Sequence, residues 1–98
     1  MGSFNSIINS SQLVLIDFFA EWCGPCKILA PILKEVKQEL SKDIRIIKID
    51  IDKNLPLATK YKVRGVPTMM LFKKGKLLWR QSGVLQKNDI LAVIQQHT

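Results

Sequence analysis

The chain is poor in the residues that most small folds use as staples. It has two cysteines and one histidine, and that histidine, His97, is next to last. A structural zinc site wants four ligands, so zinc or iron–sulfur binding within one chain is poorly supported, leaving only a site shared between two chains. A disulfide scaffold of the secreted kind usually carries two to four bridges, and the loop closed here is too short to restrict an unfolded chain much. Long apolar runs are missing too. The longest apolar tract, Leu13 to Ala20, is interrupted by Asp17, far short of the ~20 residues that cross a bilayer. No cationic segment precedes that tract and no small-residue cleavage site follows it, which argues against a secretory signal. Aromatics are sparse at 7%, and none alternates with Lys or Arg as a base-stacking platform requires. Glycine and proline number only 5 and 4, too few for a fibrous or disordered chain.

What is present fits one compact unit. Ninety-eight residues, 47% of them hydrophobic, suffice for one core and leave no room for a second, so residues 1–98 read as a single domain. Fifteen Lys and Arg against eight Asp and Glu give a formal charge of +7. The excess is dispersed over Lys27, Lys34 and Lys37, then Lys60, Lys62 and Arg64, then Lys73, Lys74 and Lys76, with no block of like charge such as marks a nucleic-acid tail. A solvated basic surface that steers toward acidic partners is the reading, without nucleic acid or membrane as a partner. Met1-Gly2-Ser3-Phe4-Asn5-Ser6 fits the loose acylation pattern, but is read as a cloning scar on a trimmed start.

The periodicity predicts the order αβαβαββα. A short helix covers Ser3 to Ile8, and Leu13 to Ala20 is apolar on both alternating faces, as a strand in mid-sheet must be. Pro25 to Leu40 turns helical, with Ile28, Ile32, Val36 and Leu40 on one row and Leu29 and Leu33 on the next. Pro31 removes one donor there and predicts a kink. Ile44 to Ile49 reads as a second buried strand and Leu55 to Tyr61 as a short helix. Thr68 to Phe72 and Lys76 to Ser82 form a hairpin through Lys73-Lys74-Gly75. Ile90, Leu91, Val93 and Ile94 face one way on a closing helix capped by Gln86 or Asn88.

The cysteines carry the chemistry. They stand in Trp22-Cys23-Gly24-Pro25-Cys26-Lys27 at a strand-to-helix junction. A lone CxxC beside a βαβ pattern points to dithiol–disulfide exchange. A sulfur at a helix start faces backbone N–H groups that favour thiolate, the form that attacks disulfides. Asp17 is the other conspicuous residue. A carboxylate in an apolar strand is costly unless paired or protonated, and Lys48 on the neighbouring strand is its expected partner. Such a group beside a reactive site suits proton transfer, with a purely structural ion pair as the alternative.

These residues resemble the thioredoxin family. The matching set is Asp17, Ala20 through Lys27, Ala30-Pro31, Lys48-Ile49-Asp50, Lys60-Tyr61, Arg64-Gly65-Val66-Pro67-Thr68, Phe72, Gly75 and Gly83, in family order across nearly the whole chain. The resemblance implies an α/β fold with a central mixed four-stranded sheet flanked by helices on both faces, the family's N-terminal edge strand being missing or truncated. It implies a protein disulfide reductase in which Cys23 is the attacking thiolate and Cys26, one turn in and less exposed, the resolving thiol, without bound cofactor or metal, a cytoplasmic monomer re-reduced by a thioredoxin reductase. It also implies a cis bond at Val66–Pro67 facing the cysteines, and a groove rim of Trp22, Gly65, Val66, Pro67, Gly83 and Val84 that pairs with an extended substrate. Gly24-Pro25 goes with a reducing member rather than an oxidising one. Phe19 departs from the family's usual tryptophan and loses an indole donor. A disulfide oxidase or isomerase on the same fold, and a groove-binding module without turnover, remain as alternative readings.

Overall fold

A computed structural model describes residues 3–98. Met1 and Gly2 of the expected scar lie outside the described residues. The elements are α1 (Phe4–Ile8), β1 (Leu13–Phe19), α2 (Gly24–Leu40), β2 (Ile44–Asp50), α3 (Leu55–Lys60), β3 (Thr68–Lys73), β4 (Lys76–Ser82) and α4 (Lys87–Gln96), with one 3-10 turn, Ser41–Asp43, before β2. The predicted order holds throughout. The four strands form one mixed sheet in the order β2-β1-β3-β4. β1 pairs parallel with β2, and β3 runs antiparallel to both β1 and β4.

The sheet follows from the period of two along β1, whose residues alternate between its faces. Leu13 and Leu15 join Leu29, Leu33 and Val36 of α2 and Ile90, Leu91 and Ile94 of α4 in the larger core. Val14, Ile16 and Phe18 look the other way and pack with Ile8, Met70 and Phe72. There Phe4 and Tyr61 meet Phe72 edge to face, with ring centroids 5.7 and 5.8 Å from it. Every residue from Leu13 to Phe18 is buried.

Two expectations change. β2 is not a buried strand: only Ile44 is fully covered, and Arg45 and Lys48 are exposed. The reason is position, since β2 has a strand neighbour on one side only. Its exposed Arg45 and Lys48 are the kind of charge that keeps a sheet edge from pairing with other chains. On α2 the buried stripe is Cys26, Leu29, Leu33 and Val36, whereas Ile28 is exposed. Helical spacing ranks rows, but the partners beneath the helix choose which row is covered. Pro31 sits inside a continuous helical run. At the far end of α2, the Lys37 ammonium donates to the carbonyls of Ser41 and Ile44, each at 2.6 Å, and so fastens the helix end to the start of β2.

The β3–β4 turn shows why glycine stands at position 75. Lys74 and Gly75 have φ of 53° and 81°, the pair of positive values that a two-residue hairpin of matching twist demands. A Cβ on Gly75 would come within 2.4 Å of Asn9 Oδ1. The Gly75 N–H donates to Ile8 O at 2.8 Å and that of Lys74 to Ser10 O at 3.0 Å, seating the end of α1 on the hairpin. α4 starts at Gln86, whose backbone carbonyl, rather than its side chain, accepts from the Asp89 and Ile90 N–H groups.

Candidate active site

The site forms where β1 ends and α2 begins. After Phe19 the chain turns through Ala20 to Trp22, closed by the Cys23 N–H donating to Ala20 O at 3.2 Å. Cys23 is still extended (φ −88°, ψ 112°) and caps α2, its sulfur accepting the Cys26 N–H at 3.1 Å. Pro25 lies in the first turn, where its missing N–H costs nothing. A Cβ on Gly24 would meet nothing within 4 Å, so packing in this oxidised state does not by itself require glycine there. Cys23 and Cys26 are joined as a disulfide, with Cα atoms 5.3 Å apart. The expected contrast in exposure is absent from this oxidised pair, because Cys23 is 3% exposed and Cys26 5%. Bonded to each other, the two sulfurs share one small apolar niche with Ala20, Phe19, Ile51 and Val66.

The second wall is the segment before β3. The Val66–Pro67 bond is cis, and Val66 O lies 3.6 Å from Cys23 Sγ. Among the described residues the Val66 N–H and carbonyl have no backbone partner. Side chains hold this segment in place. Buried Thr68 donates through Oγ1 to Gly65 O at 2.7 Å, and its hydroxyl also meets that of Ser82 at 3.2 Å. The Gly83 N–H donates to Pro67 O at 2.9 Å, at a φ of +90° that an L side chain rarely adopts. Arg80 reaches back to the carbonyls of Tyr61 and Lys62, pinning the loop in front of Val66. Val84 packs against the larger core instead.

Sequence reasoning missed two of these fixtures. Trp22, 69% exposed, is held by its indole N–H donating to Asp52 Oδ2 at 2.8 Å. Asp52 drew no attention because its partner lies across a turn 30 residues away, although the acidic run Asp50-Ile51-Asp52 was a visible hint. Thr68 enters the sequence reading only as part of a motif, and its hydroxyl ties the Gly65 carbonyl to the end of β4.

Asp17 is fully buried, and neither carboxylate oxygen has a hydrogen-bond partner. Burial pushes its acid up to about 6 from an ordinary 3.8, and the nearby Lys48 charge pulls the other way and loses. The expected Asp17–Lys48 ion pair is not made, although the two residues face each other in the β1–β2 register. The Lys48 ammonium lies instead over the Phe19 ring, 4.6 Å from its centroid. Lys48 and Phe19 share with Ala20, Glu21, Cys26, Lys27 and Ala30 the lining of a cavity of about 290 Å3.

This geometry coincides with a family match. The Thioredoxin family model covers residues 1–96. The chain belongs to the thioredoxin family. It is 46% identical to a thioredoxin of Acidithiobacillus ferridurans over 88 residues, 90% of this chain and 82% of that protein. A thioredoxin of Buchnera aphidicola is 48% identical over 81 residues, 83% of this chain and 74% of its own. Among solved structures, thioredoxin-2, a component of malaria parasite protein secretion machinery, superposes with a TM-score of 0.86 at 32% identity, over 88% of this chain and 84% of that one. The chain is therefore a protein disulfide reductase that works by dithiol–disulfide exchange through Cys23 and Cys26. No helix among the described residues is long and apolar enough to cross a membrane.

Proposed function

We propose that Cys23 is the attacking residue and Cys26 the resolving one. The observation that carries this order is the position of Cys23 Sγ at the amino end of α2, 3.1 Å from the Cys26 N–H and facing Val66. N–H donors and the positive end of a helix stabilise thiolate over thiol, and thiolate is the nucleophile. In the reduced enzyme the Cys23 thiolate attacks one sulfur of the substrate disulfide. That S–S bond breaks, one substrate sulfur leaves as thiolate, and Cys23 is joined to the other. The Cys26 thiol gives its proton to the Asp17 carboxylate through a water and attacks Cys23 Sγ. The mixed disulfide breaks, Cys23–Cys26 closes, and the substrate has gained two electrons and, from solvent and Asp17, two protons. A group whose proton comes off at about 6 accepts and returns one near neutral pH with little loss of driving force.

Gly24 and Pro25 set the reducing poise, and Lys48 tempers the Asp17 charge. An extended substrate strand lies against the free Val66 backbone, bounded by Trp22, Gly65, Pro67 and Gly83. Residues 1–98 act as one unit, a cytoplasmic monomer re-reduced by a thioredoxin reductase. The order of attack is tested by trapping. Cys26→Ser is expected to accumulate a covalent mixed disulfide with a protein substrate such as insulin, resolved by non-reducing electrophoresis and mass spectrometry, and Cys23→Ser is not. Equal trapping by both variants sinks the assignment.

A further inference from the structure

Asp17 and Lys48 are register partners on adjacent parallel strands, so their side chains leave the same face of the sheet. An ammonium on a four-carbon stem reaches a carboxylate at that separation. It does not do so here: both Asp17 oxygens are unpartnered, and the ammonium is drawn toward the end of β1, over a ring two residues further along. Phe19 projects from the same face as Asp17 and is only partly covered, so its π-face is offered to a cation at the cavity wall. Lys48 itself is exposed, so the ammonium stays hydrated over the ring, whereas contact with Asp17 would strip it of water beside a buried oxygen.

We propose that Phe19 is a positioning residue, whose ring holds the Lys48 ammonium at the mouth of the cavity beside Cys26 and off the Asp17 carboxylate. The consequence is electrostatic. A cation in contact favours the ionised acid strongly, whereas one held at a distance favours it weakly and leaves burial in control. The charges around Asp17 make Lys48 the relevant one. Its register partners are Lys48 on β2 and the uncharged Met69 on β3, and the titratable groups of the cavity that Lys48 and Phe19 line are Cys26 and Lys27 of α2 and Glu21 of the preceding turn. Of these, Lys48 alone pulls appreciably on the Asp17 acid. The inference rests on the reading of Asp17 as the proton carrier only for its catalytic meaning, since the placement of the ammonium is a matter of structure.

The test is a titration of Asp17 by carbon-detected NMR on oxidised protein labelled at aspartate carboxyls, a state in which the two cysteines do not titrate. Phe19→Leu keeps an apolar side chain but has no π-face. It is expected to lower the Asp17 midpoint by at least about half a pH unit, roughly a threefold loss of proton affinity, as the freed ammonium turns to the carboxylate. Phe19→Tyr keeps the ring and should leave the midpoint in place. In a Lys48→Met background, Phe19→Leu should have no effect on it. A Phe19→Leu midpoint equal to the parent's, or a shift that survives removal of Lys48, overturns the proposal. The proton-carrier reading fails separately. If the midpoint moves as expected while the pH profile of insulin reduction stays where it was, the positioning role stands and Asp17 is not the proton carrier.

Discussion

The two faces of β1 are both dry from Leu13 to Phe18 and differently used. Val14, Ile16 and Phe18 look into a cluster of aliphatic and aromatic side chains in which every contact favours folding. Leu13 and Leu15 do the same on the other face, but Asp17 interrupts that row with a carboxylate that has no hydrogen-bond partner. The strand thus keeps one face for stability alone and accepts a destabilising group on the other, at the position nearest the cysteine niche that is still fully covered. A buried unpaired acid contributes nothing favourable to the fold, so the two faces differ in what they add to stability.

Damage to the apolar face should have the largest effect. Phe18→Ala removes a fully buried ring and should cost about 3–5 kcal/mol. Urea unfolding should give the same loss at pH 4.5 and pH 7, because no titrating group is involved. A loss that varies strongly with pH would mean that the two faces are coupled.

Asp17→Asn works in the other direction. The acid's rise from 3.8 to about 6, at ~1.4 kcal/mol for each pH unit, corresponds to about 3 kcal/mol. A raised folded-state value gives stability that is fully present below the unfolded value and is lost as pH climbs through the folded one. The parent should therefore weaken relative to the variant between about pH 4 and pH 7. At pH 7, Asp17→Asn should be more stable by roughly 1–3 kcal/mol, the buried amide keeping part of the desolvation cost, and the gain should vanish near pH 4. Loss of stability at pH 7 with turnover intact would make Asp17 a structural residue.

The smallest effect concerns a residue on neither face. Trp22→Phe removes one exposed hydrogen bond, the 2.8 Å contact to Asp52, and should cost no more than ~1 kcal/mol. Differential scanning calorimetry measures it. A cost like that of Phe18→Ala would assign Trp22 to the core.

Much of this was legible in the residues. Alternation in Leu13 to Ala20, the helical rows after Pro25 and the Lys74-Gly75 turn set the elements, since each depends on local backbone preference and on a period of two or 3.6. WCGPC at a strand-to-helix junction announced thiol–disulfide chemistry for the same reason: the helix start acts on the sulfur within three residues. Whatever depends on partners far along the chain was not legible. The covered row of α2, the Trp22–Asp52 bond and the Thr68–Ser82 tie are all decided by which surfaces the sheet brings together. Asp17 and Lys48 show the division within a single pair. The amino-acid order alone marked an acid that burial makes costly and a cation able to reach it. Tertiary structure decided that the cation lies over Phe19 instead, because side-chain placement follows a balance of hydration, π-contact and desolvation that exists only once the strands are side by side.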